Sequence, residues 1–288
     1  MDDDVKLAML TSMGFDLDVA RSALVACNGD VERAIEHCLG GGGDGSSSAS
    51  VPTASSASAA AASPGILVRV SDSSQYTFGS EGRSACTCIA LCYAKRFLQI
   101  VSQAQASATA ADVINESFLS EVLQFGVQMY KTMKSGDSNT SVEHMSAEEV
   151  LASTHGKVEF ADLKLDGPVR QGVLSPDPSS PLGMHGVLNG CQSESQWVAV
   201  IITKSPETVV VALPPSAQQT SQYRGWLLLD SHPRPQFSAS GSYVMAHDNI
   251  ESLVQSLLEI FPFTDLGSDV GEMMQMMYNS FDAYVLHM

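Results

Sequence analysis

The chain has 288 residues, 32 of them acidic and 15 basic, and a formal net charge of −17. This charge argues against nucleic acid as a partner, because binding to phosphates needs a basic surface. No uninterrupted run approaches the roughly 18 apolar residues that span a membrane, so neither a membrane span nor a membrane partner is expected. A hydrophobic fraction of 44% instead predicts a globular protein, long enough for one sizeable domain and a small one.

The cysteines and the first residues predict a reducing compartment. Six cysteines in 288 residues, most of them near apolar helical runs, do not form the pattern of a disulfide framework. The opening sequence MDDDVKLAML carries three aspartates where a secretory signal would carry positive charge. We therefore expect the protein in the cytoplasm or the nucleus.

Residues 1–40 are predicted to form a small three-helix bundle. Three short amphipathic runs fill this segment. Gly14 and Gly29 lie in the two breaks between the runs, where a tight turn is needed. Asp30 is a candidate cap for the third helix, and Gly40 follows its end.

The motifs of this segment resemble those of the ubiquitin-associated (UBA) domain. The resemblance rests on the turn MGF at residues 13–15 and on GDVERAIEHCL at residues 29–39, and it covers residues 3–40. It implies that the turn and the end of the third helix form a ubiquitin-binding patch, made of Met13, Gly14, Phe15 and Leu39. The alternative is that Met13 and Phe15 are only core residues of a small bundle.

Residues 41–64 are predicted to be a flexible linker. They are rich in Gly, Ser and Ala, and Val51 is the one large apolar side chain among them. Such a stretch buries too little surface to offset the entropy that is lost when it becomes ordered. The linker divides the chain into a bundle at residues 1–40 and a domain at residues 65–288.

Residues 65–288 show the pattern of an α+β domain with a mostly antiparallel sheet. Helical spacing predicts helices at residues 86–103, 112–134, about 248–260 and about 268–279. Enrichment in β-branched residues predicts strands at residues 66–70, 196–203, 208–213, 225–230 and 283–287. The segment 165–193, rich in Pro, Gly and Ser, is predicted to be a long loop. Helices that come first and strands that come mostly later are typical of an α+β fold.

The stretch GEMMQMMYNS at residues 271–280 is unusually rich in methionine. Methionine fills irregular gaps in cores and also occurs at adaptable contact surfaces. We expect core packing here, and a contact surface is the alternative.

Cys86 is a candidate nucleophile. The residues EGRSA before it are loop-like, and the apolar spacing after it predicts a helix, so Cys86 is expected in the first turn. A helix N-terminus favours a thiolate and lowers the thiol pKa, as a nucleophile requires at neutral pH. Cys88 and Cys92 lie on the apolar side of the same helix and are expected in the core. A metal site is not predicted, because no fourth ligand follows these cysteines at a recognised spacing.

Asp230 and His232 are a candidate pair for activating that thiol. They are two residues apart at the end of a predicted strand, so their side chains are expected on one face, about 6–7 Å apart along the backbone. A carboxylate at this position would orient the imidazole and set its tautomer. The alternative is an ordinary polar strand end that forms a turn. Among the other histidines, His247 is expected to be structural.

The motifs SACTCIAL (84–91) and LLLDSHPR (227–234) resemble those of papain-like cysteine peptidases, in particular the herpesvirus tegument-type deubiquitinases. The pattern CTCIAL also resembles, more distantly, the catalytic helix of the MINDY deubiquitinases. The resemblance implies a nucleophilic cysteine before a helix, an Asp-x-His pair on one strand, and an upstream glutamine that helps to bind the oxyanion. Ser80 occupies the usual glutamine position, six residues before Cys86. The resemblance therefore assigns that role to Gln75, for which a surface position is the alternative.

These features predict a deubiquitinating cysteine peptidase that hydrolyses isopeptide or peptide bonds at the C-terminus of ubiquitin and carries its own ubiquitin-binding module. Cys86 would be the nucleophile and His232 the base, with Asp230 orienting His232 and Gln75 binding the oxyanion. The expected partners are ubiquitin and polyubiquitin chains, and no cofactor is expected. Two alternatives remain: a non-catalytic ubiquitin-binding adaptor, and a thiol protease that acts on another ubiquitin-like modifier.

Overall fold

The computed structural model divides the chain into two compact units, Met1–Ala59 and Ala60–Met288. The residues that it describes are 17–27, 34, 65–103, 114–136, 144–175, 177, 179–218, 225–267 and 270–288. The predictions made for the linker at 41–64, and for the binding patch of Met13, Gly14, Phe15 and Leu39, lie outside these residues.

In the first unit, helix α1 spans Leu17–Ala26. It coincides with the second of the three predicted amphipathic runs. Its residues Ala23 and Leu24 are buried, as are Cys27 and Ala34. One side of this helix, with Ala23 and Leu24, therefore lies in the interior of the unit, whereas Val19 and Val25 are exposed.

An antiparallel sheet, with eight strands in the described part of the chain, forms the centre of the second unit. The strands are β1 (Ile66–Val70), β2 (Lys164–Leu165), β3 (Arg170–Val173), β4 (Val198–Lys204), β5 (Glu207–Leu213), β6 (Trp226–Asp230), β7 (Tyr243–His247) and β8 (Ser280–His287). Their order is β1-β7-β6-β5-β4-β8-β2, and β3 also pairs with β8. Because β5 and β6 are antiparallel neighbours, the start of β5 and the end of β6 lie at the same end of the sheet.

Helices cover both faces of this sheet. They are α2 (Gly79–Arg83), α3 (Cys86–Gln103), α4 (Glu116–Gly136), α5 (Ala147–Ala152), α6 (Thr154–Glu159), α7 (Met184–Cys191), α8 (Ile250–Ile260) and α9 (Glu272–Tyr278). Helices α3 and α4 pack on one face, and α7 and α8 pack on the other. Among the described helices, none is both long and apolar enough to cross a membrane.

The burial of both faces explains the composition of the central strands. In β4, Ile201 points to the core under α3 and α4, whereas its neighbours Val200 and Ile202 point to the core under α7 and α8. Strands buried on both faces are continuous apolar runs and do not alternate between apolar and polar residues. This is why their apolar runs, β-branched in β4 and β5 and leucine-rich in β6, predicted these strands within a few residues of their observed bounds.

The predicted loop at residues 165–193 is wrong, because β3 and α7 lie within it. Both elements are short and contain glycine, which weakens helix and strand propensity. Tertiary contacts require one of these glycines: a Cβ at Gly172 would lie 2.1 Å from the ring of Phe281 on the neighbouring strand. Strand β7 was not predicted, although it lies between β1 and β6 in the sheet.

Helix α4 starts later than predicted. The apolar spacing predicted a helix from residue 112, but α4 begins at Glu116. Its start coincides with a capping bond, in which the side-chain oxygen of Asn115 accepts from the backbone N–H of Phe118 at 2.9 Å. An asparagine in this role satisfies an N–H that has no partner inside the helix.

Candidate active site

Cys86 is the first residue of α3, as the sequence predicted, and its side chain is buried. Its Sγ donates a hydrogen bond to the carbonyl oxygen of Pro206, at 3.6 Å, in the turn between β4 and β5. The next residue, Thr87, is hydrogen-bonded through its hydroxyl to that of Thr208, at 3.1 Å. These two contacts hold the start of α3 against the beginning of β5.

The expected lowering of the Cys86 pKa is not found. Burial raises the pKa of Cys86 above its ordinary value, and the hydrogen bonds made with Thr208 and Thr87 only oppose that effect. A helix N-terminus favours a thiolate by about 1 kcal/mol or less at most sites, and the loss of hydration on burial is larger. In this conformation the thiol therefore keeps its proton and uses it to bond Pro206.

Cys88 and Cys92 are buried members of the core between α3 and the sheet, as predicted. Burial raises the pKa of Cys88 to about 12. Both thiols are therefore inert in this fold, and among the three cysteines of α3, Cys86 alone lies beside the polar end of the sheet.

Asp230 and His232 are in direct contact. The imidazole Nδ1 of His232 donates to Oδ1 of Asp230 at 2.5 Å, and the backbone N–H of His232 donates to the same oxygen at 2.9 Å. The expectation that one strand carries both residues is wrong, because β6 ends at Asp230. The contact instead comes from the turn that follows, which folds the backbone of His232 back onto the carboxylate.

Arg234 and Glu207 extend this pair into a network that the sequence analysis missed. Arg234 Nε donates to Asp230 Oδ2 at 2.8 Å, and its terminal NH2 group donates to Glu207 Oε2 at 2.6 Å. Burial alone would raise the pKa of Asp230, but His232 and Arg234 outweigh it and hold that pKa below its ordinary value. Asp230 is therefore a buried carboxylate at neutral pH. The arginine four residues after the aspartate in DSHPR was the available signal.

Gln75 is buried, so the surface alternative is wrong. Its Oε1 accepts from the Ser231 hydroxyl at 2.7 Å, and its backbone N–H donates to the Ser231 carbonyl at 3.0 Å. Its Nε2 donates one hydrogen to the carbonyl of Arg83 at 3.1 Å. Gln75 therefore joins the segment just before Cys86 to the segment between Asp230 and His232.

Tyr76 covers the site from the solvent side. Its half-exposed ring meets the ring of His232 edge-on, with centroids 5.8 Å apart. Burial, together with the nearby Glu207, Asp230 and Cys86, raises the pKa of Tyr76 to about 12, although Arg234 opposes this. The tyrosine is therefore close to both the thiol and the imidazole.

The structure brings Cys86, Gln75, Asp230 and His232 to the same end of the sheet. A chain of contacts runs from Cys86 to Pro206, through the adjacent Glu207 to Arg234 and on to the aspartate and the histidine. The hydrogen bonds of the described residues do not include one between Cys86 and His232. Within the same part of the chain, no group of three or more His, Cys, Asp or Glu side chains is arranged to hold a metal ion.

Comparison with protein families identifies the N-terminal segment. Residues 3–37 match the family model of the UBA/TS-N domain, which confirms the predicted UBA domain. Comparison with curated protein sequences found no match.

Two solved structures are similar to the chain. One is the ubiquitin-specific protease encoded by the murine cytomegalovirus tegument protein M48, in complex with a ubiquitin-based suicide substrate. It has a TM-score of 0.50 and 14% identity, over 75% of this chain and 84% of that chain. The other is the avirulence protein AvrPphB of Pseudomonas, with a TM-score of 0.38 and 12% identity, over 73% of this chain and 94% of that chain. The first likeness confirms the predicted α+β fold of the papain-like type. The chain therefore carries a UBA/TS-N domain at its N-terminus, followed by a domain with this fold.

Proposed function

We propose that the chain is a cysteine peptidase of the cytoplasm or nucleus that hydrolyses isopeptide or peptide bonds at the C-terminus of ubiquitin. The observation that carries this proposal is that Cys86, at the start of a helix, and the buried pair of Asp230 and His232 lie at the same end of the sheet. The fold, which a viral ubiquitin-specific protease shares, supports it. The UBA domain supplies a second ubiquitin-binding element.

The proposed reaction is acyl transfer through Cys86. Because Asp230 engages Nδ1 of His232, Nε2 is the nitrogen left to accept the thiol proton. The thiolate attacks the carbonyl carbon of the last ubiquitin residue, and the tetrahedral intermediate collapses as the protonated His232 gives its proton to the leaving amine. A water molecule, deprotonated by His232, then hydrolyses the thioester, which releases the ubiquitin carboxylate and restores the thiol.

Binding of substrate has to change the surroundings of the thiol before this reaction can begin. The Cys86 proton is held by the carbonyl of Pro206, and burial raises the pKa of the thiol. We infer that the tail of the substrate displaces the Pro206 carbonyl, so that the thiol turns to His232. The structure then corresponds to a resting state in which the nucleophile is protonated and protected.

Gln75 and the backbone N–H of Cys86 are the proposed donors to the oxyanion. The first N–H groups of a helix have no partner within the helix, so the N–H of Cys86 is suited to this role. Gln75 Nε2 has a second hydrogen besides the one given to Arg83. Loss of one such donor costs roughly 3–4 kcal/mol of transition-state stabilisation.

The proposed ubiquitin contacts of the UBA domain are Met13, Gly14, Phe15 and Leu39. Two binding elements on one chain raise the effective concentration of a substrate that engages both. Deletion of residues 1–45 is therefore expected to slow cleavage of polyubiquitin more than cleavage of a single-ubiquitin substrate. An equal effect on both substrates would contradict a role of the UBA domain in binding chains.

The adaptor alternative is favoured by one observation, the burial of a protonated Cys86. The deciding experiment is reaction of the full chain with ubiquitin that carries a C-terminal alkyne electrophile. Wild type, Cys86→Ala and the matched control Cys88→Ala are compared by mass. An adduct lost only in Cys86→Ala supports the peptidase, and the absence of an adduct in wild type supports the adaptor. A parallel set of electrophiles built on other modifiers tests whether ubiquitin is the preferred one.

A further inference from the structure

Helix α9 exposes its methionines. Four side chains, Met273, Met274, Met276 and Met277, are 75%, 55%, 52% and 63% exposed, and we call them the methionine surface. None of the residues of α9 is buried. The expectation that these methionines pack in the core is therefore wrong.

The orientation of α9 is set by its amide side chains. Gln275 Oε1 accepts from the backbone N–H of Leu266 at 2.9 Å, and Gln275 Nε2 donates to the carbonyl of Thr264. The fully buried Asn279 exchanges two hydrogen bonds with Thr264, both at 2.9 Å. The polar residues thus hold the helix to the loop before it, and the apolar residues face outward, which reverses the usual amphipathic arrangement.

Such an arrangement is typical of a surface that a partner covers. Exposed apolar side chains that are grouped in one patch mark interaction sites, whereas single ones scattered over a surface are normal. Methionine is flexible and polarisable, so it adapts to the shape of a partner.

Helix α9 lies at the same end of the sheet as the candidate active site. Lys204 lies with its Nζ 4.9 Å from the centre of the Tyr278 ring, at the end of α9. Lys204 also ends β4 and leads into the turn that contains Pro206, the residue whose carbonyl binds the Cys86 thiol. A protein whose tail reaches Cys86 is therefore positioned to cover the methionines.

Charge indicates the kind of partner. Glu272 begins α9, and Asp265 is exposed in the loop before it. A second copy of this chain would bring another net charge of −17 to the contact, which disfavours self-association. A partner with an apolar centre and a basic rim fits the surface.

We propose that the methionine surface docks the folded body of the ubiquitin whose C-terminus enters the site at Cys86. The inference rests on the proposed function and adds to it the surface that recognises the substrate. It accounts for four apolar side chains that the fold itself does not need.

The test compares two substrates of the full chain. One is ubiquitin with a C-terminal fluorogenic amide, and the other is a short peptide that ends in the same residues and carries the same amide. For the variant Met273→Gln/Met277→Gln, which removes apolar contact without adding charge, we expect KM for the ubiquitin substrate to rise about tenfold with little change in kcat. Turnover of the peptide is expected to stay at the wild-type level. The control Val158→Gln alters an equally exposed apolar residue on α6 and should change neither substrate.

An unchanged KM for the ubiquitin substrate would overturn the docking proposal and leave the peptidase proposal intact. Equal losses on both substrates would also overturn it, since the methionines would then act on the site itself. If wild type cleaves neither substrate, the peptidase proposal fails, and docking is tested by NMR of methyl-labelled methionine in Cys86→Ala titrated with ubiquitin. Shifts of the methionine surface, in addition to the shift of Met13 that binding to the UBA domain would cause, support docking. Their absence, or shifts that depend on protein concentration alone, overturn it.

Discussion

His247 is predicted to make the folded protein sensitive to mild acid. Its imidazole is buried at the end of β7, and Nδ1 lies 3.1 Å from the hydroxyl oxygen of Ser252. That hydroxyl donates to the carbonyl of Asn249 at 3.3 Å, so its oxygen accepts from the Nδ1–H of His247. The other nitrogen, Nε2, is buried without a hydrogen-bond partner among the described residues. A proton added to Nε2 would therefore meet no acceptor.

The size of the effect follows from the pKa. Burial lowers the pKa of His247 from 6.5 to about 4, although Asp248 opposes this. Because the unfolded chain binds the proton more tightly, this contribution to stability is complete above a pH of about 6.5 and is lost as the pH falls towards 4. One pKa unit corresponds to about 1.4 kcal/mol, so the full loss is about 3 kcal/mol. At pH 5 the linkage relation gives a loss of about 2 kcal/mol.

The measurement is urea unfolding of the full chain at about pH 7.5 and pH 5, for wild type and His247→Gln. Other titrating groups contribute equally to both proteins, so the difference between the two pH dependences isolates His247. Wild type is expected to lose about 2 kcal/mol more than the variant on acidification. Equal losses would refute the reasoning, because they would mean that the folded protein protonates this imidazole without cost.

Three further predictions, two of them with a comparison variant, test the site and its support. Arg234→Leu removes the arginine that pairs with the buried Asp230 carboxylate and is expected to cost about 3–5 kcal/mol in urea unfolding. Glu207→Gln, which removes only the outer partner of that arginine, should cost less than about 1 kcal/mol, and equal costs would contradict the assignment. Asp230→Asn is expected to lower kcat/KM for a ubiquitin substrate by about 10⁴-fold, because an amide no longer holds the imidazole of His232 in the tautomer with its proton on Nδ1. A loss below tenfold would exclude Asp230 as the orienting group. Gly126→Val is expected to lower the unfolding free energy by about 1–3 kcal/mol, because a Cβ at this position would lie 2.7 Å from the backbone of α3. Gly271→Ala serves as the control, since a Cβ there would meet nothing within 4 Å.

The sequence by itself determined the features that depend on neighbouring residues. Helix α3 begins at Cys86, where an apolar run with helical spacing starts, as the sequence predicted. The prediction that EGRSA before it is loop-like is wrong for residues 81–83, which belong to α2. Strands β4, β5 and β6 were predictable because their apolar runs are continuous. The motifs at residues 13–15 and 29–39 identified the UBA domain, which the family model confirms over residues 3–37. Each of these signals is complete within about ten residues of sequence.

The tertiary structure decided what surrounds the candidate site residues. Gln75 is buried because it bonds Ser231, which is 156 positions further along the chain. The expected lowering of the Cys86 pKa is reversed because Pro206 and the start of β5, about 120 positions away, cover the thiol. Burial and its effect on charge depend on segments that folding brings together, and helical or strand spacing carries no record of them.

Contacts with the rest of the fold also explain why the methionines of α9 face the solvent. In a helix of seven residues with four methionines, the spacing does not define a single apolar face. The side of α9 that is turned towards the fold was decided by the bonds that Gln275 and Asn279 make to Thr264, a residue of the preceding loop. Sequence periodicity determines which residues can share a face, and only contacts with the rest of the fold determine whether that face is turned inward or outward.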